Sequence, residues 1–115
     1  MLLYFKSQAR SASIPPIGDY KNVFGGDSWS SNDWEEKAPI SAGFFRIEKG
    51  EPCVYYYDYD DVKFFIEGEC TMKDETGQEV VAKADDVAGF KKGSTVTFTT
   101  EGVARAFFCG QRAKL

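Results

Sequence analysis

From residue 40 onward the chain is a succession of short apolar and β-branched runs, each closed by a turn signal. The runs are Ile40–Glu48, Cys53–Tyr59, Val62–Glu67, Glu69–Asp74, Glu79–Ala84, Val87–Phe90, Thr95–Thr99 and Val103–Cys109. Between them stand Glu48-Lys49-Gly50, Glu67-Gly68, Thr76-Gly77, Asp85-Asp86, Lys92-Gly93 and Glu101-Gly102. Many short strands at close spacing, with no helical periodicity between them, predict an antiparallel sandwich or barrel. No segment recurs at a fixed period, which argues against a solenoid or propeller. Residues 1–39 differ. Pro15 and Pro16 forbid helix there, Phe24-Gly25-Gly26-Asp27 reads as a turn, and Ser31-Asn32-Asp33 reads as the cap of a short turn carrying Trp34 and Glu35. The expected organisation is an N-terminal arm over 1–39, with an edge strand, a Pro/Gly-rich loop and a possible lid, followed by a barrel over 40–115.

With 115 residues, 43 % of them hydrophobic and 16 % aromatic, the chain suffices for one packed domain. No apolar run approaches the roughly 20 residues of a membrane-spanning helix. Met1–Phe5 is apolar but meets Lys6, Gln8 and Arg10 at once, which is not the pattern of a secretory leader. Cys53, Cys70 and Cys109 cannot all pair and none lies in a CxxC unit, so a reducing, cytoplasmic setting with free thiols is expected. The net charge is −4, and the acids concentrate in residues 22–61. A nucleic-acid backbone would want the opposite sign. Lys91-Lys92-Gly93 lacks the glycine-rich turn into a helix that a phosphate loop needs, and reads as a plain turn.

Histidine is absent. That removes the usual neutral-pH base and the usual transition-metal ligand, and with them Ser-His-Asp, Cys-His and His-carboxylate iron chemistry on this chain.

Two stretches carry a family resemblance. The first runs Gly43-Phe44-Phe45-Arg46-Ile47-Glu48-Lys49-Gly50, then Tyr55-x-Tyr57-x-x-Asp60-Asp61, then Phe65-Ile66-Glu67-Gly68-Glu69. The second runs Ala84-Asp85-Asp86-Val87, then Phe90-Lys91-Lys92-Gly93-Ser94. Together they resemble the two motifs of the cupin superfamily, and Tyr59–Gly68 is most similar to the small cupins of the ethanolamine-utilisation EutQ type. The resemblance implies an all-β fold, a double-stranded β-helix or jelly-roll barrel, with one open end and a ligand cavity inside. It places Gly50, Gly68 and Gly93 at strand ends, where a barrel corner favours a positive φ. It also assigns the family's metal-ligand positions to Tyr55, Tyr57, Asp61 and Val96. Only Asp61 is a good ligand, so neither a metal nor any other cofactor is expected.

Strand alternation puts Cys53, Tyr55 and Tyr57 on one face, which the resemblance turns into the barrel together with Asp61. Asp61, Tyr57 and Tyr55 are thus the candidate catalytic residues: a carboxylate to carry protons, and phenols to hold or polarise a substrate oxygen. Alternatively, Asp61 pins a turn and the tyrosines are core. Candidate substrate-binding residues are Phe44, Arg46, Phe65, Val96 and Phe98 from the barrel, with Trp29 and Trp34 from the arm. Which of the Phe44/Arg46 and Phe45/Ile47 pairs points inward is open, as is an ion pair between Arg46 and Glu48. Lys63 lies two residues past Asp61 and either shares its face or is turned out by a bulge. Trp29 and Trp34 either form a lid or pack on the outer sheet.

The functional expectation is a metal-independent cupin that binds a small, largely apolar organic molecule. It would catalyse an acid–base isomerisation, dehydration or cyclisation as an isomerase or lyase. The alternative is a non-catalytic ligand-binding or accessory cupin of the EutQ type. Self-association is expected to be a homodimer in which Met1–Phe5 adds a strand or covers an edge.

Overall fold

The computed structural model describes residues 1–115. It is all-β apart from one 3-10 turn at Ala9–Ser11. The strands are β1 (Val23–Ser30), β2 (Ser41–Glu48), β3 (Cys53–Tyr56), β4 (Asp61–Asp74), β5 (Glu79–Lys83), β6 (Val87–Phe90), β7 (Thr95–Thr99) and β8 (Val103–Gly110). All pairings are antiparallel, in the order β1-β2-β8-β4-β7-β3, with β5 and β6 also on β4.

β4 organises the jelly roll because it belongs to both sheets. Its first half pairs with β8 and β6, and its second half with β5 and β7. The change of sheet falls at a register shift between Phe65 and Glu67, followed by Gly68 at φ +79°. A Cβ on Gly68 would strike the Val103 carbonyl oxygen, so only glycine allows β8 to approach this closely. The expected break between Val62–Glu67 and Glu69–Asp74 is therefore a bend in one continuous strand. Gly93 also has positive φ, whereas Gly50 does not.

Alternation sorts core from surface. Ser41, Gly43, Phe45 and Ile47 of β2 face inward, as do Asp61, Lys63 and Phe65 of β4, Val96 and Phe98 of β7, and Ala104, Ala106 and Phe108 of β8. The buried hydrophobic side chains form a single cluster between the two sheets. Cys53 and Cys70 lie inside it, Cys109 is half-buried, and all three are free thiols.

The arm departs from its sequence reading. Phe24–Asp27 is no turn but the middle of β1, which pairs along its length with β2. The two glycines looked like a turn, yet they let neighbouring chain lie flat against the strand: Gly25 meets the Ile17 side chain, and Gly26 meets Pro15 and Ile14. Pro16 bridges Phe24, so the proline segment lies on the β1 edge. Met1–Phe5 forms no strand within the chain and is exposed. No helix is long and apolar enough to cross a membrane.

Candidate functional site

One end of the barrel holds a cavity of about 70 Å³. The chain reaches it with one alternating stretch. Cys53, Tyr55 and Tyr57, then Tyr59 in the connection, then Asp61 and Lys63 at the start of β4, all line it. Phe45 of β2, Phe98 of β7 and Phe108 of β8 complete its aromatic wall, and Ile17, Gly25, Arg112 and Leu115 line the rest.

At its centre is a buried ion pair. Lys63 Nζ donates to Asp61 Oδ2 at 2.7 Å and to the Tyr57 hydroxyl at 3.2 Å. Its side chain is only 7 % exposed and that of Asp61 only 1 %. The ammonium sits among five rings, 5.2 Å from the centroids of Phe45 and Phe90, 5.3 Å from Phe108, 5.6 Å from Tyr57 and 5.8 Å from Phe98. Such faces attract a cation, but they do not replace water fully. Burial accordingly lowers the Lys63 pKa, with the Arg112 charge acting the same way and Asp61 opposing both. Burial and the Asp61 charge hold the Tyr57 phenol firmly protonated. Tyr59 is raised by burial and by its bond to Tyr55, whose hydroxyl lies 2.8 Å away. The Cys53 thiol, in the same wall, is pushed up by burial to about 11 and is no thiolate at neutral pH.

A second charged pair lies beside the cavity, which Arg112 lines. Both terminal nitrogens of Arg112 bond Asp27, at 2.7 and 2.9 Å, and the Leu115 amide donates to the same carboxylate at 2.9 Å. Burial opposes a charged Arg112, yet its bonds to Asp27 and the neighbouring Tyr59 phenol raise its pKa further, the Tyr59 ring lying 5.3 Å from the guanidinium. Two polar atoms in this region have no hydrogen-bond partner, Asp61 Oδ1 and Arg112 Nε, and both residues line the cavity.

Of the sequence-nominated residues, Asp61, Tyr57, Tyr55 and Phe98 come together in the cavity wall. Phe65 and Val96 are buried core outside that wall. Phe44 and Arg46 point the other way. Phe44 packs on Phe107 outside the sheet, and Arg46 bonds Glu48 at 3.0 Å and covers the Phe24 ring at 4.2 Å. Trp29 and Trp34 pack edge-to-face on each other, centroids 5.7 Å apart, and neither lines the cavity. Sequence reasoning passed over Asp27, Tyr59, Phe108 and Arg112, and left open whether Phe45 or Phe44 faces the cavity, which the structure gives to Phe45. For Tyr59 a signal existed, since it continues the every-second-residue series 53-55-57. Arg112 gave none, lying beyond the last strand with its partner 85 residues away.

The residues at the metal-ligand positions do not fit a divalent ion. Tyr57 remains a phenol, Val96 has no donor, and Asp61 is neutralised by an ammonium group already within the site. Nowhere do three Asp, Glu or Cys side chains gather in an arrangement that could hold a metal ion.

Comparisons with known proteins agree with this architecture. The family model of ethanolamine utilisation protein EutQ matches residues 30–114. An ethanolamine utilization protein Q of Salmonella typhimurium LT2 superposes with a TM-score of 0.68 at 27 % identity, covering 80 % of this chain and 71 % of that one. The Clostridium difficile EutQ protein gives 0.77 at 15 % identity, covering 96 % and 88 %. Ectoine synthase from P. lautus gives 0.73 at 13 %, covering 96 % and 78 %, a likeness of fold alone. No curated protein matches in sequence. With most of its length matched by the family model and its barrel shared with two EutQ structures, this cupin-fold chain belongs to the EutQ family.

Proposed function

We propose that this protein is a metal-independent acid–base catalyst acting on a small carbonyl-type molecule held in the barrel. The observation that carries the reading is the Lys63–Asp61–Tyr57 network opening on an apolar cavity, with one Asp61 oxygen unpartnered. A buried carboxylate with a free oxygen is unlike a turn-pinning group, whose oxygens are taken by backbone amides. Asp61 has none of those bonds and is free to move a proton, while Tyr57 has a phenolic proton for a developing enolate oxygen. Arg112, which also lines the cavity, keeps an Nε without a partner beside this network.

The size of the cavity limits the ligand. An apolar cavity of about 150 Å³ holds benzene. At about 70 Å³ this one suits a molecule of a few heavy atoms, and an aromatic or polyene ligand would have to displace the wall. The fold likeness to ectoine synthase, a protein named for a synthesis, is consistent with this reading. The three free cysteines suit a reducing compartment, and we place the protein in the cytoplasm. We further propose a homodimer joined through the outer face of β2, β8, β4 and β6.

The test uses hydroxyacetone in heavy water, following loss of its α-protons by NMR. Wild-type protein should accelerate exchange over buffer, Asp61→Asn should slow it by about 10², and Tyr57→Phe should have a smaller effect. Asp61→Asn also strands the Lys63 ammonium, and breaking a buried pair costs about 3–5 kcal/mol. Asp61→Asn combined with Lys63→Met removes both charges. It should recover the melting temperature without recovering exchange. Wild-type exchange no faster than buffer would replace catalysis with non-catalytic ligand binding.

A further inference from the structure

We propose that Lys63 captures a small aldehyde or ketone covalently, as an imine, at the bottom of this cavity. The inference rests on the acid–base reading of the same site and adds a nucleophile to it.

An amine that forms an imine must reach a carbonyl, lose a proton readily, and have an acid nearby to expel water. Lys63 meets each requirement. Lys63 lines the cavity, and its nitrogen has only two hydrogen-bond partners, Asp61 Oδ2 and the Tyr57 hydroxyl. An ammonium kept solely as a structural counter-ion would gain from a third acceptor, but the remaining direction meets aromatic faces. Its displacement toward the neutral form by burial and by Arg112 has the same consequence. The other lysines of the chain are exposed and solvated.

The steps balance with no further reagent. Asp61 Oδ2 accepts a proton from the ammonium across the 2.7 Å bond. The freed nitrogen lone pair attacks the carbonyl carbon, and the C=O π pair moves to oxygen, which Tyr57 steadies by donating a hydrogen bond. The added nitrogen passes a proton to that oxygen, giving a neutral carbinolamine. Asp61 then returns its proton to the hydroxyl, the C–O bond breaks, water leaves, and the nitrogen lone pair closes the C=N bond. The product is a protonated imine beside the Asp61 carboxylate. The site thus begins and ends with one cation and one anion. The five rings that surround the ammonium also suit the iminium, a softer and less hydrated cation. A cavity of about 70 Å³ selects carbonyl compounds of two to four carbons over larger ones.

Trapping tests this directly. Intact protein is treated at neutral pH with propanal and sodium cyanoborohydride, and propylation is followed site by site by peptide mass spectrometry. Lys63 should label at least about ten-fold faster than each of the other nine lysines. Benzaldehyde should not label Lys63 preferentially. Lys63→Arg should lose the fast phase while the surface lysines react as before. Lys63 labelling no faster than exposed Lys91 or Lys92 would overturn the proposal on the wild-type chain alone. Hydroxyacetone exchange separates the two readings. Exchange without fast labelling sinks the imine and leaves proton transfer standing; fast labelling without exchange does the reverse.

Discussion

Asp27 shows how much one inward carboxylate holds in place. Its side chain is 4 % exposed, and its two oxygens bind both Arg112 nitrogens and the Leu115 amide. The tail that borders the cavity is thereby tied to β1. Burial by itself would raise the Asp27 pKa, but the Arg112 bonds, the Leu115 amide and nearby positive charges outweigh it. The carboxyl is held below its usual range. A carboxyl lowered on folding contributes stability above its unfolded pKa and loses it as pH falls through the folded value. The relevant window therefore lies below about pH 4. Asp27→Asn should cost about 3 kcal/mol at pH 7, since Arg112 is left buried and unpaired. Urea midpoints should show the gap to wild type narrowing from pH 4 downward. An unchanging gap would mean that the pair contributes nothing through its charge.

At the scale of elements, β4 is the member on which the barrel turns. It carries Asp61 and Lys63 into the cavity in one sheet and Cys70 and Met72 into the core in the other. Gly68 makes the corner. Gly68→Ala meets two penalties, a positive φ worth about 1–2 kcal/mol and a collision with the Val103 carbonyl. Gly77→Ala, in the open β4–β5 turn at φ +89°, meets only the first. Denaturant melts should therefore place Gly68→Ala well below Gly77→Ala. Equal losses would show that β8 gives way without cost. The strands from residue 41 on were legible as short runs between turn signals. β1 was not, because Gly25 and Gly26 read as a turn until Ile17, Pro15 and Phe44 are seen packed around them.

The molecule as a whole leaves one surface unsatisfied. Phe44, Phe107, Phe64 and Val87 stand in register across β2, β8, β4 and β6, all pointing outward. Val62, beside them on β4, is also exposed, as are Met1, Leu2, Leu3 and Phe5. An apolar row spanning four strands is the kind of surface that a second copy covers, and the N-terminal segment is apolar enough to add to the seal. Light scattering should give a dimer for the intact chain. Phe107→Glu, or removal of residues 1–10, should shift it toward monomer with the barrel still folded by circular dichroism. A monomeric intact chain would remove this assembly.

The sequence by itself determined the class of fold and the axis of the site. Turn residues at close spacing dictate short antiparallel strands, and period-two alternation places residues 53, 55 and 57 on one face, whatever the rest of the chain does. The lack of histidine is likewise a property of composition and needs no coordinates. Tertiary structure alone decided which β2 face looks inward, that Arg46 serves an outer ion pair, and that Trp29 and Trp34 stand apart from the cavity. It also decided that Lys63 is inside. Local pattern allows a lysine there to turn in or out. The choice depends on Asp61 and on five rings, Tyr57 among them, from four strands and one connection, whose combined field exists only once the barrel has closed. Asp27 and Arg112 make the same point, since 85 residues of chain separate two charges that only a closed sheet brings to 2.7 Å.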